Sequence, residues 1–140
     1  MEKIPTAMRV VAAALRAESG AWLMYQRPEG KHHAGLWEFP GGKIDSRETS
    51  EIALIRELRE ELAIEVREED LSFTGSASQV PSADQPAIVI ELYTCCTWLG
   101  EPDPQEGGAI AWLGFDAMAN LPKPPLDESL LEQLMQKHEC

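Results

Sequence analysis

The chain has 140 residues, 24 of them acidic and 12 basic, for a net charge of −12. That length suits one domain, residues 1–140, with a real core and is short for two. The acidic balance argues against a nucleic acid polymer as partner, because such binding relies on basic residues facing phosphates. It leaves open a nucleotide, since metal ions can stand between an acidic site and a polyphosphate.

From the N-terminal side, 7–15 is apolar and reads as a buried strand. Glu18-Ser19-Gly20 is a turn, and 21–26 returns as a second strand, which predicts an early hairpin. The segment 28–35 is a loop carrying Lys31, His32 and His33; the two histidines lack a partner pair at metal-ligand spacing and read as rim residues. Leu36-Trp37-Glu38-Phe39 reads as a short strand that stops at Pro40-Gly41-Gly42. A helix then starts near Thr49 or Ser50, either of which suits its cap. Leu54, Ile55, Leu58 and Leu62 form its apolar stripe. Arg67-Glu68-Glu69-Asp70 is a polar break. Two strands follow, over 71–80 and 87–98, then a loop over 100–108 rich in Pro, Gly and acid, and a short strand over 109–113. A second helix over 126–137 presents Leu130, Leu131 and Leu134 as its apolar side. The mixture predicts a sheet with helices on its faces.

Cys95 and Cys96 are adjacent and Cys140 is the last residue. Three such cysteines make no disulfide framework and read as two strand residues and a frayed terminus, consistent with a reducing cytoplasm. The apolar run 10–15, bracketed by Arg9 and Arg16, is too short to span a membrane or to act as a convincing signal peptide. Cytoplasmic location and no membrane partner are therefore expected. The chain shows no internal repeat or low-complexity tract.

The first helix concentrates charge. At about 100° per residue, Glu57, Glu60 and Glu61 fall within an arc of roughly 100°. Glu57 faces the other two at the i+3 and i+4 spacings, where each like-charged pair costs an isolated helix roughly 0.2–0.5 kcal/mol. A divalent cation turns that repulsion into attraction, and hard cations prefer oxygen ligands shared with substrate phosphates. The competing reading is a solvated face, with Arg56 pairing Glu60 four residues on.

The surroundings of this helix favour the metal site. The spacing Gly, five residues, Glu, seven residues, then Arg-Glu-aliphatic-any-Glu-Glu-any-Gly-aliphatic is met by Gly42, Glu48, Arg56, Glu57, Leu58, Glu60, Glu61 and Ile64. The single departure is Ala63, where the pattern has Gly. In these residues the chain resembles the Nudix hydrolase family, and Leu36 to Lys43 looks like the entry segment of its MutT-like branch. The resemblance implies a Nudix-type α/β/α sandwich with a mixed sheet. It also implies a pyrophosphohydrolase that takes a (deoxy)nucleoside triphosphate, oxidised or modified ones included, to the monophosphate and pyrophosphate.

The implied roles fall on particular residues. Glu57, Glu60 and Glu61, with the backbone carbonyl of Gly41, would hold Mg²⁺, with Mn²⁺ as an alternative. Arg56 would orient Glu57 or Glu48 through a charge-assisted hydrogen bond. Glu48 is either an outer metal ligand or a structural partner of Arg56. The general base is Glu57 or a later loop acid, for which Glu106 stands in the right region and Glu101 or Asp103 could substitute. Arg27, fourteen residues before Gly41, would lie near the phosphate or the base, and Lys43 near a phosphate. Asp127 either reads an exocyclic amine of the base or caps the last helix, and Gln85 lies near the base. A carboxylate where MutT uses an amide argues against carrying over strict 8-oxo-dGTP specificity and makes cytosine nucleotides plausible, since their N4 amine donates to carboxylates.

The family Gly at position 63 would end the helix in a left-handed conformation. Ala there would cost roughly 1–2 kcal/mol if that geometry is kept, and the fold is expected to tolerate it. Rival functions are a dinucleoside polyphosphate or nucleotide-sugar hydrolase, a non-catalytic nucleotide sensor, and a purely structural acidic domain. Monomer and homodimer are both compatible with the sequence.

Overall fold

The computed structural model describes residues 7–31 and 34–137. His32, His33 and Cys140 lie outside them. The fold grows around the apolar run that opens the chain, β1 (Met8–Leu15), whose residues from Val11 to Leu15 are all buried. A strand buried on both faces must be covered twice, and its alternation divides the core. Val11, Ala13 and Leu15 join one hydrophobic cluster; Ala12 and Ala14 join the other.

Two sheets share this core. Sheet A has the order β4-β1-β6-β5, with β4 (Gly41–Lys43), β5 (Ser72–Gln79) and β6 (Ile88–Cys95). β1 pairs parallel with β6 and antiparallel with β4, so sheet A is mixed. Sheet B has the order β3-β2-β7, from β2 (Trp22–Gln26), β3 (Trp37–Glu38) and β7 (Ala109–Leu113), all antiparallel. The early hairpin expected from the sequence does not form. β1 and β2 share only the isolated bridge Arg16–Trp22, because both edges of β1 are already taken by β4 and β6.

Helix α1 (Ser50–Leu62) covers one side, burying Ala53, Leu54, Leu58 and Leu62 against the odd-numbered face of β1. Thr49 caps it, its hydroxyl accepting from the Ile52 N–H at 3.2 Å. Helix α3 (Pro125–Lys137) covers the other side with Leu130, Leu131 and Leu134, joined by Met118 of a short helix α2 (Phe115–Ala119). The result is the expected α/β arrangement with helices on both faces of a mixed sheet. Differences from the sequence reading are local. Gly41 to Lys43 form a strand rather than a stop, residues 68–70 make a 3₁₀ turn, and α2 was not foreseen. Among the described cysteines, Cys95 is a buried free thiol whereas Cys96 is disulfide-bonded and lies just past the strand end, which corrects the reading of Cys96 as a plain strand residue.

α1 ends at Ala63, whose backbone adopts φ 58° and ψ 33°. The left-handed geometry is therefore kept with an alanine in it, the Ala63 N–H bonding to the Arg59 carbonyl at 3.1 Å. No helix among the described residues is long and apolar enough to cross a membrane.

Candidate active site

β4 is an edge strand of sheet A and passes directly under α1. Two glycines make that approach possible. Gly41 has φ 155°, and a Cβ there would stand 2.0 Å from the Val11 carbonyl oxygen. A Cβ on Gly42 would stand 2.3–2.6 Å from the carboxylate atoms of Glu57. No side chain fits either place, so the Gly-Gly pair lets the helix carboxylates meet the strand backbone.

Arg56 organises the helix acids. Its Nε and Nη2 donate to Glu48 at 2.7 and 2.8 Å, its Nη1 to Glu57 at 2.9 Å and to Glu60 at 3.3 Å, and its Nη2 to the Lys43 carbonyl at 3.2 Å. The fork on Glu48 is bidentate, the geometry in which a guanidinium holds a carboxylate best. Its hydrogen bonds bring the Glu48 carboxyl down to about 2. Glu48 is thus held by Arg56, and Arg56 contacts both of the acids expected for it, Glu48 and Glu57.

The three motif glutamates do different things. Glu60 is turned outward into its ion pair with Arg56 and is half exposed. Glu57 lies beneath Gly42; burial raises its carboxyl, Arg56 opposes the shift, and Glu60 and Glu106 add to it. Glu61 accepts the Gly41 N–H at 3.1 Å. Burial, with Glu38, Glu106 and Glu57 nearby, pushes it up to about 8 despite that hydrogen bond. Among the described residues no three acids converge into a preformed metal cage. The donor set nonetheless fits a hard divalent cation: it is all oxygen, and among the described residues the desolvated carboxylate of Glu61 has no cationic partner of the kind Glu48 has.

A cavity of about 510 Å³ runs from this acidic edge to the start of α3. At its acidic end stand Gly41, Gly42, Lys43, Glu61 and Glu106. Its walls also include Tyr25, Arg27, Lys31 and Glu38, the apolar Met8, Val10, Ile88, Ile90, Phe39 and Leu126, and Gln79, Gln85 and Asp127 as further polar groups. Arg27 donates to Glu38 at 2.7 and 3.3 Å, so its guanidinium is bound within the cavity wall. Gln85 accepts from Gln79 at 2.9 Å. Glu101 and Asp103, the substitutes for Glu106, are not among the lining residues.

Asp127 is buried and sits on the first turn of α3, but it does not cap it. The helix begins earlier, at Pro125, whose fixed φ suits a first helical position. One Asp127 oxygen, Oδ2, instead accepts the Phe39 N–H at 3.1 Å across the cavity floor. Burial and the charge of Glu38 raise the carboxyl to about 7.

Of the residues singled out from the sequence, Arg27, Gly41, Lys43, Glu61, Gln85, Glu106 and Asp127 line the cavity. Sequence reasoning missed Tyr25, Glu38, Lys31 and Gln79 as wall residues. Glu38 had a signal, since an acid in the short apolar strand before Gly41 needs a partner, and Arg27 is the cation that β2–β3 pairing brings beside it.

A NUDIX domain family model matches residues 6–134. The chain is 34% identical over 130 residues to an 8-oxo-dGTP diphosphatase of Haemophilus influenzae, covering 91% of each protein. It is 34% identical over 125 residues to a CTP pyrophosphohydrolase of Escherichia coli K12, covering 89% of this chain and 90% of that protein. The solution structure of the E. coli ORF135 protein superposes with a TM-score of 0.82 at 32% identity, covering 96% of this chain and 92% of that one.

Proposed function

The chain belongs to the Nudix family, and we propose that it is a Mg²⁺-dependent pyrophosphohydrolase that cleaves a (deoxy)nucleoside triphosphate to the monophosphate and pyrophosphate. The observation that carries this reading is the polarity of the cavity. One cavity joins carboxylates on a glycine-lined edge to apolar side chains and the buried carboxylate of Asp127 at the start of α3. A nucleotide has the same polarity, polyphosphate at one end and a flat base with a few polar edges at the other.

Nudix hydrolases generally need a divalent cation, and here Glu57, Glu61 and the Gly41 carbonyl would hold it, with Glu60 after release from Arg56. A bound cation supplies neutralisation of phosphate oxygens and acidification of water. The chain's own residues do the rest. Arg56 keeps Glu57 in place and Glu48 keeps Arg56 in place. Lys43 and Lys31 meet the phosphate chain from the cavity rim. Glu106 accepts the proton of the attacking water as the P–O bond of the α,β-anhydride breaks and pyrophosphate departs. Arg27 braces Glu38 in the wall between the two ends.

At the base end Oδ2 of Asp127 is committed to Phe39, which leaves Oδ1 to accept from the base. An exocyclic amine such as the cytosine N4 is the matching donor. The names of the two relatives, one a CTP and one an 8-oxo-dGTP enzyme, span the substrates worth comparing.

The test is pyrophosphate and phosphate release with Mg²⁺ across normal, oxidised and methylated triphosphates, a dinucleoside polyphosphate and ADP-ribose, with Glu57→Gln alongside. Pyrophosphate from a triphosphate, lost in the variant, supports the reading. Turnover confined to the dinucleotide or sugar substrates redirects it. Mg²⁺-dependent nucleotide binding without turnover leaves a sensor.

A further inference from the structure

Tyr25 lies in the central strand of sheet B, opposite Glu38 of β3 on one side and Ile110 of β7 on the other. It is 4% exposed yet lines the cavity. Its phenol is surrounded by acids from three elements. Burial acts on it first, then Glu61 of α1, Glu106 of the loop and Glu38 of β3, all holding it in the neutral form.

The loop that carries Glu106 rests on this ring. A methyl group on Gly108 would stand 2.3 Å from both Cζ and the hydroxyl oxygen of Tyr25, so the Gly108 backbone lies directly against that oxygen. Glycine is thus the residue that lets the backbone lie flat on the phenol. The other end of the segment is moored on α1. The Gln105 N–H donates to the Glu61 carbonyl and the Asp103 N–H to the Leu62 carbonyl, each at 2.9 Å. Glu106 stands between the two anchors, next to Gln105 and two residues before Gly108.

We propose that Tyr25 is a positioning residue for Glu106: the phenol fixes Gly108, α1 fixes Gln105, and the short span between them keeps the Glu106 carboxylate facing Glu57 and Glu61. The proposal rests on the hydrolase reading and on Glu106 as the acceptor of the water proton. It assigns Tyr25 no contact with the nucleotide. Loss of the hydroxyl therefore lowers the rate of the chemical step and leaves nucleotide affinity alone.

The experiment uses the full chain with Tyr25→Phe, Glu106→Gln and the double variant. It measures kcat and nucleotide KM at saturating Mg²⁺, and amide hydrogen exchange at Gly107 and Gly108. Tyr25→Phe keeps the ring and loses the oxygen against which Gly108 packs. Its kcat is expected to fall about tenfold with KM within twofold, and exchange at Gly108 to quicken about tenfold. In the Glu106→Gln background the same change should cost nothing further, because two residues acting through one group are not additive. An unchanged kcat, a full additional loss in the double variant, or a raised KM with kcat intact overturns the positioning role while the hydrolase reading stands. Glu106→Gln as active as the wild type overturns it at Glu106. A wild type that turns over no nucleotide sinks the hydrolase reading and this role with it, and unchanged Gly108 exchange rules out the tether even then.

Discussion

Asp127→Asn should make the protein more stable at neutral pH and leave it unchanged in acid. Asp127 is 5% exposed, and burial with the charge of Glu38 raises its carboxyl from 3.8 to about 7. Between those values the folded state holds a proton that the unfolded state has lost. Stability from this group is therefore complete below about pH 4 and is lost as pH rises to about 7. Three pH units at roughly 1.4 kcal/mol each set an upper bound of about 4 kcal/mol on that loss. Relaxation of the site brings the expected value to about 2–4 kcal/mol. Asparagine keeps an oxygen for the Phe39 N–H that Asp127 satisfies at 3.1 Å, and it does not ionise. The melting temperatures of variant and wild type should coincide near pH 4 and separate by about 6–12 °C by pH 7.5, at roughly 3 °C per kcal/mol for this chain length. The measurement is a pair of melts in a buffer series with chelator and no nucleotide, where the other carboxylates act on both proteins alike. A gap that stays constant across the series, or a variant less stable at pH 7.5, would refute the claim that Asp127 is a buried, unpaired acid. The same variant should shift base preference, because the oxygen left to the base is exchanged for a group that donates on one side.

Glu61→Gln carries the same sign at the glycine-lined edge of the cavity. The folded carboxyl sits at about 8, so stability from Glu61 falls as pH rises from its ordinary value through about 8. In chelator at pH 8.5 the variant should melt above the wild type, and it should lose most of the rise in melting temperature that Mg²⁺ gives the wild type; an equal Mg²⁺ response in both proteins counts against Glu61 as a ligand. Ala63→Gly removes a Cβ from a left-handed position at φ 58°. The relief of roughly 1–2 kcal/mol is partly offset by about 0.4–1 kcal/mol of added freedom in the unfolded chain, so the net gain should be about 1 kcal/mol. Denaturant melts check this, and turnover should not change, since Ala63 is exposed and away from the cavity.

The sequence made the elements legible where a local rule sufficed. The apolar run to Leu15, the Thr49 cap, the Leu54-Leu58-Leu62 stripe and the strand 109–113 all follow from periodicity and capping. What it hid depends on pairing across the chain. The turn at Glu18-Ser19-Gly20 looks like a hairpin because nothing local reveals that β4 and β6 claim both edges of β1. Of the two readings open to Asp127, the cap falls away because Pro125 as first helical residue moves the helix start ahead of it. In the site, spacing placed Glu57, Glu60 and Glu61 on one arc, but it could not say that Arg56 draws Glu60 outward and leaves Glu61 the most desolvated of the three. Tyr25 was invisible as a site residue because sheet pairing, not sequence distance, brings it beside Glu38 and the 100–108 loop.

The electrostatics of the cavity give the two ends different tasks. Glu38, Glu61 and Asp127 are all raised, and Glu38 contributes to the shifts of both others. The guanidiniums nearby are already engaged, Arg27 on Glu38 and Arg56 on Glu48, Glu57 and Glu60. Lys31 and Lys43 are too few to offset a triphosphate against those carboxylates. Nucleotide entering without a cation therefore meets net repulsion, at a site where burial strengthens Coulomb forces. Cation and nucleotide must bind cooperatively, each neutralising what the other finds unfavourable, and the coupling must be equal in both directions. A chain of net charge −12 can thus select a polyanion, by leaving one end of its cavity short of positive charge that the cation and substrate bring together.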